Sequence, residues 1–144
     1  MSYLPLTRVF AEADILSLHC PLLFATHHIV DAEAIASTKD GVMLVNTSRG
    51  ALVDTRAAID GLKRRKIGFL ALDVYEEEEG VVFEDLSGQI VDDDLLMRLV
   101  TFPNVLVTSH QAFLTREALA NIAEATFDNL DRFADRGVAR HPVP

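Results

Sequence analysis

Four short apolar runs punctuate this chain, and each ends abruptly in polar residues. Leu16-Ser17-Leu18 passes into His19-Cys20-Pro21, and Val42-Met43-Leu44-Val45 into Asn46-Thr47-Ser48-Arg49-Gly50. Phe69-Leu70-Ala71-Leu72 passes into Asp73-Val74-Tyr75-Glu76, and Val105-Leu106-Val107 into Thr108-Ser109-His110-Gln111. Runs this short, apolar at nearly every position, predict strands of a parallel sheet covered on both sides. The strands are expected at Ile15 to His19, Val42 to Asn46, about Phe69 to Val74, and from Val105 onward.

Helical spacing fills the intervals. Thr7 to Ala13 places Val9, Phe10 and Ala13 on one face, and a weaker helical segment spans Asp31 to Ser37. Asp54 reads as the N-cap of a helix turning Ala58, Ile59 and Leu62 inward. Lys63, Arg64, Arg65 and Lys66 in its last turn complement the helix dipole. An irregular acidic loop runs from Glu76 to about Val91; Asp92 or Asp93 then caps a short helix through Leu99. Thr115 caps a final helix with Leu119, Ile122, Thr126, Leu130 and Phe133 on one face, ending near Gly137. The alternation predicts an α/β fold: about four parallel strands in sequence order, helices on both faces, and a long C-terminal helix. Residues 138–144 are expected to form a disordered tail.

Composition narrows the class. The chain has 144 residues, one domain's worth, enough to bury roughly 70% of its unfolded surface. No apolar stretch approaches the roughly 20 residues of a membrane span, and the N-terminus lacks a signal-peptide pattern. Cys20 is the only cysteine, so a reducing, cytoplasmic setting is expected. A net charge of −9 opposes nucleic acid as a partner. No His, Cys and Asp spacing suggests a metal site, and Asp92-Asp93-Asp94 reads as a helix cap with a charged first turn.

In open parallel sheets, ligands sit outside the carboxyl ends of the strands. Strand ends delivering His19, Arg49, Asp73 with Glu76, and His110 to one edge therefore constitute a candidate active site. A guanidinium such as Arg49 clamps a carboxylate bidentately, where lysine offers a point charge. An imidazole such as His110, with an ordinary pKa near 6.5, can both give and take a proton. The plain alternatives are a surface arginine pairing a local carboxylate, an Asp73 that caps its turn, and a solvated acidic loop in Glu76 to Glu79. His27, His28 and His141 read as structural, and Cys20 has nothing basic beyond His19 to make it a nucleophile.

Four motifs, in order and spacing, resemble the D-isomer-specific 2-hydroxyacid dehydrogenases, most closely the fermentative D-lactate dehydrogenases. They are Ile15-Leu16-Ser17-Leu18-His19-Cys20-Pro21-Leu22 and Asn46-Thr47-Ser48-Arg49-Gly50-Ala51-Leu52-Val53-Asp54. They continue with Leu72-Asp73-Val74-Tyr75-Glu76 and Asn104-Val105-Leu106-Val107-Thr108-Ser109-His110-Gln111-Ala112-Phe113-Leu114-Thr115. The resemblance implies half of a doubly wound, Rossmann-type sheet. Residues 1–137 would be the C-terminal portion of an NAD-binding domain plus the helix returning to a substrate domain.

By that resemblance, Arg49 binds the carboxylate of a small 2-keto or 2-hydroxy acid, His110 donates the proton, and Glu78 pairs with His110. Asp73 would accept from the nicotinamide carboxamide, His19, Cys20 and Pro21 would line the adenosine side, and Thr47 and Ser48 would lie beside the nicotinamide. Leu23 and Phe24 stand where the family usually has Thr-Pro.

One family feature is missing from the sequence. Its seven glycines (41, 50, 61, 68, 80, 88 and 137) include no two that lie two apart, so no G-x-G-x-x-G turn is present to cradle a pyrophosphate. The chain is therefore expected to be a fragment or truncated dehydrogenase, inactive alone, with weak or absent NAD binding. Its first strand should leave an exposed edge that drives self-association, as a homodimer. Sequence upstream of Met1 is expected to continue into the glycine-rich turn. The alternative is a non-catalytic nucleotide-sensing or protein-interaction module on the same fold.

Overall fold

Parallel strands cannot be joined by tight hairpins, and each strand here is entered from a helix. In the computed structural model, which describes residues 2–77 and 93–142, the order is α1 (Leu6–Glu12), β1 (Ile15–Leu18), α2 (Ala32–Ser37), β2 (Val42–Asn46), α3 (Thr55–Lys63), β3 (Ile67–Leu72), α4 (Asp94–Leu99), β4 (Val105–Val107) and α5 (Arg116–Arg136). The four strands pair in parallel in the order β1-β2-β3-β4. These are the four parallel strands, in sequence order, that the apolar runs predict.

Side-chain oxygens at the helix starts satisfy N–H groups that the first turn leaves without intrahelical partners. Asp31 accepts from Ala34 N at 2.8 Å, Asp54 from Ala57 N at 3.0 Å, and Thr115 from Ala118 N at 3.1 Å. Asp93, rather than Asp92, caps α4, accepting from Leu95 and Leu96 N; Asp92 lies outside the described residues. The basic cluster after α3 is arranged differently from the expectation. The helix ends at Lys63, Arg65 takes a left-handed backbone (φ 58°), and Lys66 pairs with Asp40 at 2.8 Å. The chain reverses early because β3 begins at Ile67, two residues before the predicted start, and it ends at Leu72. Gly68 allows this: a Cβ there would meet the Gly41 carbonyl oxygen at 2.5 Å.

Among the described residues of the first unit, helices cover one face of the sheet. Leu16, Leu44 and Leu70 lie side by side in register and are buried, together with Val42 and Leu72. Phe10, Ile35, Ile59, Leu62 and Leu99 pack against them from α1, α2, α3 and α4, which touch in series. Consecutive right-handed crossovers to successive neighbours place their helices on one side of the sheet. On the opposite face Ile15, Phe69 and Leu106 remain 62%, 57% and 59% exposed. The apolar runs thus overstate the cover that this part of the chain supplies. No described helix is long and apolar enough to cross a membrane.

The chain divides into two units, Met1–His110 and Gln111–Pro144. In the second, α5 ends at Gly137, whose left-handed φ of 69° matches the glycine stop predicted there. Beyond it Arg140 bonds Asp128 at 2.9 Å, holding that carboxyl below its ordinary pKa, and His141 N donates to Asn129 Oδ1 at 3.0 Å. The segment treated as a tail in the sequence is held to the helix at these two residues. Leu119, Ile122, Leu130 and Phe133 line an exposed stripe on α5.

Candidate active site

The carboxyl ends of all four strands are joined by one run of hydrogen bonds. After β1, the Cys20 carbonyl accepts from Ser48 Oγ at 2.7 Å. After β2, the fully buried Asn46 organises the turn that carries Arg49. Its Oδ1 accepts from Ser48 N at 3.1 Å, and its Nδ2 donates to the Arg49 carbonyl at 2.8 Å. The Asn46 carbonyl in turn accepts from Asp73 N at 2.9 Å, which ties β2 to the end of β3. Asp73 then meets the segment after β4 twice: its carbonyl accepts from His110 N at 2.5 Å, and its Oδ1 accepts from Thr108 Oγ1 at 2.5 Å.

The chain bends sharply at the end of β4. Ser109 and His110 both adopt left-handed φ values, 53° and 58°. Such non-glycine conformations cost of order 1–3 kcal/mol each and persist only where surrounding bonds fix them; the Asp73 contacts do so here. His110 is half-buried, with its Nδ1 shielded from solvent. Arg49 is exposed, its Nη1 donating to the Ser48 carbonyl at 2.7 Å. Among the described residues no carboxylate pairs with it. Thr47 is exposed beside it.

Other expected site residues stand more loosely. His19 is exposed and turns back on Ser17, Nε2 to Oγ at 2.8 Å. Pro21 is exposed, and its carbonyl accepts from Thr26 Oγ1 at 2.7 Å. Glu78 lies outside the described residues.

Several site-forming residues were not assigned a role from the sequence. Asn46 and Thr108 belong to this group, and a lone asparagine closing an apolar run was the available signal. Gly50 is another: its Cα lies so close to the Tyr75 backbone that a Cβ would overlap the Tyr75 carbonyl. Tyr75 is buried and its hydroxyl donates to the Asp93 cap at 3.1 Å. Burial first, and Asp93 second, raise the Tyr75 phenol above its ordinary pKa.

The strand-end residues suit the nicotinamide end of a dinucleotide. Asp73 is a buried carboxylate with one oxygen on Thr108, and a carboxylate offers about four acceptor positions. Asp73 thus places a carboxylate, the kind of acceptor an amide donor meets, at the same edge that holds His110 and Arg49.

Comparison with known proteins places the chain in a family. Residues 1–112 match the family model described as D-isomer specific 2-hydroxyacid dehydrogenase, NAD binding domain. A 2-hydroxyacid dehydrogenase homolog of Haemophilus influenzae is 52% identical over 141 residues, covering 98% of this chain and 43% of the relative. A D-lactate dehydrogenase of Escherichia coli is 50% identical over 130 residues, covering 90% and 40%. The structure of D-lactate dehydrogenase with NAD+ from Lactobacillus jensenii superimposes with a TM-score of 0.89 at 32% identity, covering 99% of this chain and 43% of that one. The chain thus spans 40–43% of the length of these relatives. It belongs to the D-isomer-specific 2-hydroxyacid dehydrogenase family, as a segment of the family's NAD-binding domain.

Proposed function

We propose that this chain carries the catalytic half of an NAD-dependent D-2-hydroxyacid dehydrogenase that reduces pyruvate or a close 2-keto acid in the cytoplasm. The observation that carries the reading is the hydrogen-bond run from Cys20 through Ser48, Asn46 and Asp73 to His110. It fixes four strand ends at the edge where such sheets bind ligands.

NADH, when bound, supplies a hydride to the keto carbon. Arg49 receives the substrate carboxylate in a two-pronged bond and draws electron density from the neighbouring carbonyl. His110 gives its proton to the carbonyl oxygen, so that the 2-keto acid, the hydride and this proton together make up the D-hydroxy acid. Glu78 is assigned the carboxylate that holds His110 protonated and oriented. Asp73 positions the nicotinamide carboxamide, Thr47 and Ser48 lie beside that ring, and His19, Cys20 and Pro21 line the adenosine side.

The sequence contains no pyrophosphate cradle, so the chain alone binds NAD weakly or not at all and turns over no substrate. The open β1 edge and the uncovered sheet face support self-association, as a homodimer; light scattering at tens of micromolar reads this directly. The function is tested by replacing the matching segment of the E. coli D-lactate dehydrogenase with residues 7–137 and following NADH oxidation with a panel of 2-keto acids. Turnover with pyruvate or a near homologue supports the reading. A folded, NADH-binding chimera that reduces none of them contradicts it.

A further inference from the structure

The turn that leaves β1 presents two neighbouring imidazoles to one side. Adjacent side chains in regular helix or strand diverge. Here His28 takes a left-handed backbone, φ 50°, and its ring stacks on that of His27, centroids 3.9 Å apart and planes at 30°. A third group arrives from the segment after β3: Glu76 places Oε1 2.5 Å from His28 Nε2. The other Glu76 oxygen accepts the Thr55 peptide N–H at 3.2 Å, so the carboxylate is fixed from the start of α3. One ligand atom from each of His27, His28 and Glu76 lies within 4.8 Å of the others; His28 and Glu76 are partly buried and His27 is exposed.

We propose that His27, His28 and Glu76 bind a divalent transition-metal ion of the Zn2+ class, which clamps the turn after β1 to the segment after β3. Two imidazole nitrogens with one carboxylate oxygen select such ions over Mg2+ and Ca2+, which take oxygen-rich sites. Ligand distances of about 2.0–2.2 Å place the three atoms roughly 3–4 Å apart. His28 and Glu76 already touch, so rotation of the exposed His27 ring closes the set. The ion takes the place of the proton between His28 and Glu76, and that proton passes to solvent. The bond from Thr55 to the outer Glu76 oxygen is the kind of support that orients a ligating carboxylate. Three protein ligands leave the remaining coordination to water. None of Arg49, Asp73 and His110 belongs to the set, so the proposal stands apart from the reaction assigned above.

The test is calorimetric titration of the 144-residue chain with Zn2+ and, separately, Mg2+, together with thermal melts. One Zn2+ per chain is expected, with a raised Tm, and Mg2+ should give neither. His27→Ala should weaken Zn2+ binding by at least about tenfold. It should leave the metal-free Tm unchanged, because the ring it removes is exposed. Cys20→Ser should leave Zn2+ binding intact. Absence of Zn2+ binding by the parent chain, equal affinity in His27→Ala, or loss of binding in Cys20→Ser would each overturn the assignment.

Discussion

The peptide N–H of His110 donates to the carbonyl of Asp73 at 2.5 Å, so the segments that leave the neighbouring strands β3 and β4 are held to each other through the main chain. Thr108 adds the side-chain half of the clamp through its bond to Asp73 Oδ1. Thr108→Val, which keeps the shape and removes the hydroxyl, should destabilise the fold by about 1–3 kcal/mol, since the partner is charged. Urea unfolding measures it, and a midpoint equal to the parent's would show that the clamp contributes nothing.

Asn46 is fully buried and serves two backbone groups of the Arg49 turn. Asn46→Ala leaves the Ser48 N–H and the Arg49 carbonyl without that partner, at about 1–3 kcal/mol for each group that stays buried. In the dehydrogenase chimera the same change should raise KM for the 2-keto acid, because the turn that aims Arg49 loosens. Asn46→Asp should recover less than half of the stability, since it replaces the donor to the Arg49 carbonyl with an acceptor.

Gly50 is required by close approach rather than by its φ angle. A methyl group there meets the backbone carbonyl of Tyr75, which cannot step aside as a flexible side chain would. Gly50→Ala should cost about 3 kcal/mol, at the upper end of overpacking effects. Retention of the parent's denaturation midpoint would mean that the β3 exit shifts freely.

How much of this was legible in the sequence depends on the range of the forces involved. Strand identities, caps at Asp54 and Thr115, and the Gly137 stop are local, written in residues that contact their near neighbours, and they stand where the pattern placed them. The start of β3 was misplaced by two residues because it depends on Gly68 lying against Gly41, a contact between distant segments. Cover on both faces was read from apolar runs, yet those runs do not say which segment covers which side. At the site, Arg49, Asp73 and His110 were visible as strand-end residues of telling chemistry. The bonds of Asn46, Thr108 and Ser48 that arrange them were not, because each depends on a partner positioned by the fold.

Alkaline pH should weaken the fold through Tyr75. Burial and the bond to Asp93 raise its folded-state pKa above the unfolded value near 10. The sign follows from linkage: a raised pKa gives stability that is complete below the unfolded value and is lost as pH climbs toward the folded one. Urea midpoints measured from pH 8 to pH 11 should therefore decline above about pH 10. Tyr75→Phe, less stable at pH 8 for want of the Asp93 bond, should show a shallower decline. Parallel curves for the two proteins would remove Tyr75 as the cause.

The central proposal is that His110 and Arg49 act on one substrate from the ends of β4 and β2, the two strands that flank β3. In the dehydrogenase chimera, kcat and KM for pyruvate, measured beside the dissociation constant for NADH, test it most directly. His110→Ala should lower kcat by about 10²–10⁴-fold, the range of general acid catalysis, with NADH affinity unchanged. Arg49→Lys should raise KM and lower kcat together, since a point charge does not reproduce the two-pronged bond. A His110→Ala enzyme that keeps kcat within about threefold of the parent, well short of that range, would contradict the account.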